Sequence, residues 1–368
     1  MIKNCCPKCF GDKHLRYLIE HSSSKENMKK GTCPVCDATS VELISEKCNA
    51  YQVLYDKLNE VVNCYRLRRK DEYGGPNLRE EMEDVWGVFS ERLLGERIKQ
   101  DKLLEFILQK RFEKDPKLFQ QNVELKNQPK EENSIFKLRS FEEFSNEIRN
   151  EQRFHIKNFN PQLFQRLLSY AVTKINKGEI YYRARLKPSN KDFNPKDLDA
   201  PPRHKASSGR ANTKGISHLY LADQEITAFK EIRVGLHNEV VIAKYRIKEE
   251  LNVVHLSELN KISPFEMSEG EVQLEVFAFN IKHLDALKKA VVEPARSEDR
   301  YIEYLPIQYI VDFIKSEEYD GVTYASTMHK DGYNLVLFNP ERAERLDDLV
   351  NYEITDIHYT HSQKIRKH

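Results

Sequence analysis

Four cysteines stand in two matched pairs near the start of the chain, Cys6-Pro7-Lys8-Cys9 and Cys33-Pro34-Val35-Cys36. A two-residue spacer lets both thiolates of a pair reach one ion, and two pairs complete a tetrahedral shell with no open position. The spacing therefore predicts a structural zinc site on Cys6, Cys9, Cys33 and Cys36. The other reading is four reduced structural thiols without metal; Cys5 is an alternative to Cys6, Cys48 and Cys64 read as ordinary thiols, and His14 as a surface residue. Further along, Arg149 and His155 are close enough in sequence to act as a general acid–base pair, against the plainer reading of a polar helix end. Arg183 alternates with Tyr182 and Ala184 in an otherwise apolar strand, so it faces either a pocket or water. Arg210 sits in a glycine-bounded loop that suits a phosphate. Glu231 lies on a helix expected to start at an Asp223 N-cap, on one face with Thr227 and Ala228. Those small neighbours leave room in front of its carboxylate; a solvated mid-helix glutamate is the alternative.

The elements that must hold these groups differ along the chain. Residues 50–125 show helical spacing, with Leu54, Leu58, Val61 and Tyr65 in one run and Val85, Trp86, Phe89, Leu93 and Ile98 in another. Between them, 73–77 (Tyr-Gly-Gly-Pro-Asn) is a turn signal. Helical spacing resumes at Phe141, Phe144 and Ile148 and again from Phe164, which predicts a helical bundle through the middle region. After Gly178 the texture becomes mixed: strands over 180–186, 218–222, 240–247, 253–256, 321–325 and 334–339, and a helix opened by Pro306. Residues 187–205, rich in proline and charge, form a long loop of the kind that often serves as a lid. Residues 272–280 fit either a strand or a helix.

The chain has 368 residues, which implies two or three domains. Lys and Arg number 59 against 58 Asp and Glu, a formal net charge of +1 that gives no global pull toward nucleic acid or membrane. No apolar run approaches the ~20 residues of a bilayer span, and the first residues lack a signal-peptide core, so a cytoplasmic location without membrane contact is expected.

Several segments, taken together, resemble the RES domain, a family named for an Arg, a Glu and a Ser. They are Tyr182-Arg183; Gly209-Arg210-x-Asn212; Leu219-Tyr220-Leu221-Ala222; Thr227-Ala228-x-x-Glu231; Tyr319-Asp320-Gly321-Val322-x-Tyr324-x-Ser326; and Gly332-Tyr333-Asn334-Leu335-Val336-Leu337-Phe338. The likeness spans about residues 178–340, in the family's order. It departs at Ala211, where the family usually has an aromatic, and at Thr327, where a second Ser is common. The front of the chain is similar to the zinc-bearing, HEPN-like region fused to some RES domains, and Arg149 with His155 resembles the Arg-x(4–6)-His motif of HEPN ribonucleases.

The resemblance implies a multidomain protein: a zinc-binding module at 1–50, an α-helical HEPN-like region at 51–177, an α+β RES domain resembling the ADP-ribosyltransferase fold at 178–345, and a charged tail at 346–368. It implies NAD as substrate, cleaved at the nicotinamide–ribose bond with phosphate, water or a macromolecule as acceptor, in a toxin or defence-type effector. Restraint would come from a separate antitoxin or regulatory protein, or from the N-terminal half; a homo-oligomer is compatible with the same reading. Arg183, Glu231 and Ser326 take the catalytic roles, and Arg183, Arg210, Tyr220, Ser326 and Asn334 bind NAD. Two contrasting readings are a HEPN-type ribonuclease using Arg149 and His155, and a non-catalytic module that binds nucleic acid or a partner.

Overall fold

A computed structural model describes residues 2–22, 29–68, 74–188, 193–267, 270, 272–293 and 300–357. Tyr73 of the turn at 73–77, residues 189–192 of the long loop and the tail from His358 onward lie outside the described residues. Contacts divide the chain into two compact units that are discontinuous in sequence. One comprises 1–138, 159–170 and 260–284, the other 139–158, 171–259 and 285–368. Among the described residues no helix is long and apolar enough to cross a membrane.

In the first unit, one cysteine pair precedes helix α1 (Lys13–His21) and the other lies between the paired strands β1 (Lys29–Gly31) and β2 (Val41–Leu43). Asp12 caps α1 by accepting the Leu15 N–H, which meets one of the helix's orphan donors. Helices α2 (Asn49–Asn63), α3 (Leu78–Asp84) and α4 (Arg97–Ile107) follow, with β3 (Tyr65–Leu67) paired to β4 (Val123–Leu125). Trp86 is fully buried in this unit, packs against Tyr65 and Phe277, and donates its indole N–H to the Tyr65 hydroxyl. Burial lifts the Tyr65 pKa above its ordinary range, and the hydroxyl donates a hydrogen bond to Glu81 Oε2.

The second unit is built on a sheet in the order β12-β8-β6-β7-β11-β10-β9-β5, with β13 also on β8. These strands are β5 (Val172–Ile175), β6 (Ile180–Leu186), β7 (Leu219–Ala222), β8 (Glu239–Ile247), β9 (Leu251–His255), β10 (Gly321–Ala325), β11 (Tyr333–Leu337), β12 (Ala343–Arg345) and β13 (Val350–Glu353). All neighbours run antiparallel except β9 and β10. Strand β8 is apolar on both faces, as a strand covered on both sides must be. Tyr181, Leu221, Val241, Ala243, Tyr245 and Leu335 share a core on one face; Ala184, Ala222, Val240 and Ile242 pack on the other, under Ala228 of helix α5 (Glu225–Glu231). Each such fully buried aliphatic side chain contributes up to about 1.5–3 kcal/mol.

Helix α6 (Leu274–Val292) makes the ambiguous stretch helical from Leu274 onward, and α7 (Leu305–Ser316) packs against β10. The described part of the long loop is pinned rather than free. Leu198 is fully buried in the first core, the Tyr245 hydroxyl donates to the Leu198 carbonyl, and Arg345 pairs with Asp199.

One expected start is corrected. Helix α5 begins at Glu225 with Gln224 at the N-cap, and no side chain caps it. Asp223 instead extends the β7–β11 ladder: its N–H donates to the Tyr333 carbonyl, and its carboxylate accepts the Tyr333 N–H.

Candidate functional site

Glu231 closes α5, and a helix C-terminus opposes a carboxylate because the last carbonyls concentrate negative charge there. Two donors offset this. Ser326 Oγ and Asn334 Nδ2 both donate to Glu231 Oε1, at 2.6 and 2.8 Å. Asn334 reaches it because it stands on the α5 side of the sheet: it is the register partner of Ala222 on β7 and of Tyr324 on β10. Ser326 directly follows β10, and its N–H donates to the Gly332 carbonyl, closing the loop that leads to β11. Its hydroxyl also accepts the N–H groups of Met328 and His329, at 3.1 Å each. One oxygen therefore orders the loop and orients the carboxylate. Both Ser326 and Asn334 are buried.

A second clasp ties the same loop to the same helix. Thr227, fully buried one turn before Glu231, is hydrogen-bonded to His329 Nδ1 at 2.8 Å. Gly332 is the complementary feature, since a Cβ there would collide with Thr227 Oγ1 and lie 2.7 Å from His329 Nδ1. Sequence reasoning singled out Thr227 only as a small neighbour and passed over His329. The pair is 102 residues apart, and neither residue type announces the bond.

The glycine-bounded loop forms a second polar assembly. The Tyr220 hydroxyl donates to Asn212 Oδ1 at 2.6 Å and accepts the Ala211 N–H, and burial raises its pKa well above the phenolic range. Asn212 spends its amide donors on the carbonyls of Ser207, Thr213 and Ile216, so it braces the loop. Gly209 is required by space, because a Cβ would stand 2.7 Å from Asn212 Oδ1 and 2.8 Å from the Tyr220 hydroxyl. Arg210 Nη1 donates to the Val291 and Val292 carbonyls at the end of α6, and the guanidinium lies over the rings of Tyr304 and Tyr324, 5.7 and 5.3 Å from their centroids. Tyr324 in turn lies close enough to Glu231 that the carboxylate adds to burial in raising its pKa. Arg210, Tyr324 and Glu231 thus form a continuous neighbourhood.

Arg183 is set apart from these groups. Alternation places it with Tyr181 and Arg185 on the sheet face away from α5. The β6–β7 ladder is the single pair Tyr182↔Ala222, and the Arg183 side chain takes the next β7 carbonyl, donating from Nη1 to Tyr220 O at 2.7 Å. It is 6% exposed, burial pulls its pKa down to about 10, and its Nε–H has no partner among the described residues. An unmet buried donor of this kind costs about 1–3 kcal/mol unless something fills it.

Arg149 and His155 are not joined. Arg149 lies in a π-helical turn, Glu147–Glu151, with Nη1 3.8 Å from Glu142, whereas His155 is exposed in irregular chain.

In the first unit, the sulfurs of Cys6, Cys9, Cys33 and Cys36 all lie within 4.8 Å of one another, and all four residues are buried. The Cys6–Cys36 and Cys9–Cys33 separations are both 3.5 Å, and Cys6–Cys9 is 3.9 Å. A tetrahedron with Zn–S bonds of about 2.3 Å has edges of about 3.8 Å, whereas a disulfide requires about 2.05 Å. The four thiols therefore fit a zinc ion; Cys5, also buried, is outside the cluster.

A search of curated proteins gives no match. Among solved structures, the chain is similar to one from the M. tuberculosis MbcT–MbcA toxin–antitoxin complex, at 12% identity over 52% of this chain and 91% of that one, with a TM-score of 0.29. The sequence model of the RES domain family matches residues 180–360, the stretch that carries Arg183, Glu231, Ser326 and Asn334.

Proposed function

We propose that the region from about residue 178 to 345 is an NAD-consuming RES domain that breaks the nicotinamide–ribose bond and passes the ADP-ribosyl group to phosphate, water or a macromolecule. The observation that carries this reading is the Glu231 carboxylate, fixed through one oxygen by Ser326 and Asn334 inside the RES-matched segment. When the C1′–N bond breaks, its electron pair leaves with neutral nicotinamide and positive charge develops on the ribose. A carboxylate already oriented beside the sugar stabilises that charge without reorganising. Both donors fall on Oε1, which leaves Oε2 for the ribose and for an incoming acceptor. Ser326 acts as a positioning group, since its hydroxyl is committed to Glu231 and to the loop.

Arg183 supplies an unmet buried donor that an anionic substrate oxygen would satisfy. Arg210 keeps Nε and Nη2 outside its bonds to α6, and the Tyr220 ring offers an aromatic face. Cys6, Cys9, Cys33 and Cys36 would hold a structural zinc that stabilises the first unit and takes no part in the reaction. This reading supports a toxin or defence-type effector restrained by a separate protein.

The test is nicotinamide release from NAD by the full chain, with and without phosphate. Release should be abolished by Glu231→Gln with the thermal midpoint nearly unchanged. No release under any acceptor condition, or release that survives Glu231→Gln, overturns the reading.

A further inference from the structure

A cavity of about 1100 Å³ lies in the second unit beside the glycine-bounded loop and contains none of Arg183, Glu231 or Ser326. Its walls are the loop around 204–216, one face of α7 and the chain at 148–154. Two properties distinguish it from ordinary surface. Three large apolar side chains that are exposed in the folded chain line this one cavity: Phe154 at 89%, Tyr301 at 62% and Ile302 at 41% exposure. Scattered exposed apolar residues need no explanation, but three around one hollow do. The second property is charge. Arg153, Lys205 and Lys214 line the same hollow; among the described residues none of the three forms an ion pair, and Asp312 is the one acidic residue of the lining. In a chain of net charge +1 this is a local concentration of positive charge.

We propose that this cavity binds a nucleotide, with its base on the exposed rings of Phe154 and Tyr301 and its phosphate on Arg153, Lys205 and Lys214. Aromatic faces next to unpaired cations match the two halves of such a ligand, a planar ring and an anion. The volume is ample for a mononucleotide. Ala211 forms part of the wall, so the small side chain at this position helps to keep the space open. The same chemistry is available from a free mononucleotide or from the end of an RNA strand.

The experiment titrates AMP into the full chain by calorimetry, with adenosine, ribose 5-phosphate, a five-residue oligo-adenylate and an acidic nonapeptide as parallel probes. AMP should bind more tightly than adenosine or ribose 5-phosphate. Phe154→Ala should weaken it about tenfold, within the range of one base–aromatic stack. Lys205→Ala should weaken it several-fold and flatten its salt dependence. Both residues are exposed, so neither change threatens folding. Ala211→Trp, which narrows the cavity at the loop wall, should weaken binding at this site. Oligo-adenylate binding at least tenfold more tightly than AMP assigns the site to RNA ends, and equal binding assigns it to free nucleotide. The proposal is overturned if AMP does not bind, if adenosine binds as well as AMP, if the acidic peptide binds in preference, or if Phe154→Ala and Lys205→Ala leave affinity unchanged. Binding should persist in Glu231→Gln, so the failure of this proposal and of the NAD reading would be seen separately.

Discussion

Replacing Ser326 with Ala isolates how much of the site depends on one hydroxyl. Its Oγ donates to Glu231 Oε1 at 2.6 Å and accepts two backbone N–H groups. A hydrogen bond to a charged group contributes about 1.5–3 kcal/mol, which corresponds to a loss of roughly 10- to 150-fold in rate at about 1.4 kcal/mol per decade. The structural cost is smaller. Met328 is exposed and His329 half-buried, so water takes up part of what the N–H groups lose, and a stability loss of about 1 kcal/mol is expected. The measurement is kcat/KM for nicotinamide release, with thermal unfolding followed in parallel. Asn334→Ala should act similarly, because it removes the other donor to the same oxygen. The double substitution should cost less than the product of the two, since once the carboxylate swings free the second donor has nothing left to orient. A loss below about threefold for Ser326→Ala, or strict multiplicativity in the double variant, would refute the view that the two donors jointly orient Glu231.

Gly332→Ala should lower stability by about 1–3 kcal/mol and reduce turnover, because the new Cβ forces Thr227 and His329 apart; wild-type melting and turnover would show that the clasp yields freely. His218 is buried with its pKa pulled down to about 4 by desolvation and by Lys315, and Nδ1 is bonded to the Ala211 carbonyl. Its folded value lies below that of the unfolded chain, so its contribution is fully present above about pH 6.5 and is lost as pH falls toward 4, by roughly 3 kcal/mol at most. Urea midpoints across that range should fall more steeply for wild type than for His218→Gln, and parallel curves would contradict the assignment. Wild-type protein should carry one zinc per chain by atomic absorption, and Cys33→Ser with Cys36→Ser should remove it and lower the thermal midpoint; a metal-free wild type would refute the fit of the four thiols.

The elements were legible where periodicity is strict. Strands β6 and β10 begin and end where alternation predicts, because each has a buried face that punishes a one-residue slip. Helix α5 was displaced at its start because Asp223 serves either as an N-cap or as a ladder extension, and only the position of Tyr333, 110 residues later, decides between them. The cysteine cluster was fully legible, since ligand type and spacing carry the information. The Thr227–His329 clasp was not, because a hydroxyl and an imidazole have no sequence signature for each other. The units themselves were hidden for a related reason. Residues 260–284 join the first unit through contacts such as Asn280 Oδ1 with the Ile135 N–H and Phe277 with Trp86, and no composition shift marks them.

Arg183, Glu231 and Ser326, the three residues proposed for the reaction, are not equivalent in their placement. Glu231 and Ser326 share a hydrogen bond on the α5 side of the sheet, and Asn334 completes their assembly. Arg183 belongs by alternation to the other face and reaches across where the β6–β7 ladder has shrunk to one pair. A continuous ladder would have used the Tyr220 carbonyl for a backbone bond. The guanidinium takes that carbonyl instead, at 2.7 Å, and a second, weak bond of 3.5 Å ties it to the Asp199 carbonyl in the pinned loop. The ring of Tyr220, whose carbonyl Arg183 holds, is fixed at its hydroxyl end by Asn212. Any substrate anion that draws on the unmet Nε–H would therefore act on β7, on the 193–206 loop and, through Tyr220, on the loop that carries Arg210. That coupling gives a physical reason for an arginine in the middle of an apolar strand. Burial is the main cause of its lowered pKa, about 10, and an anion on the unmet Nε–H would favour the charged form.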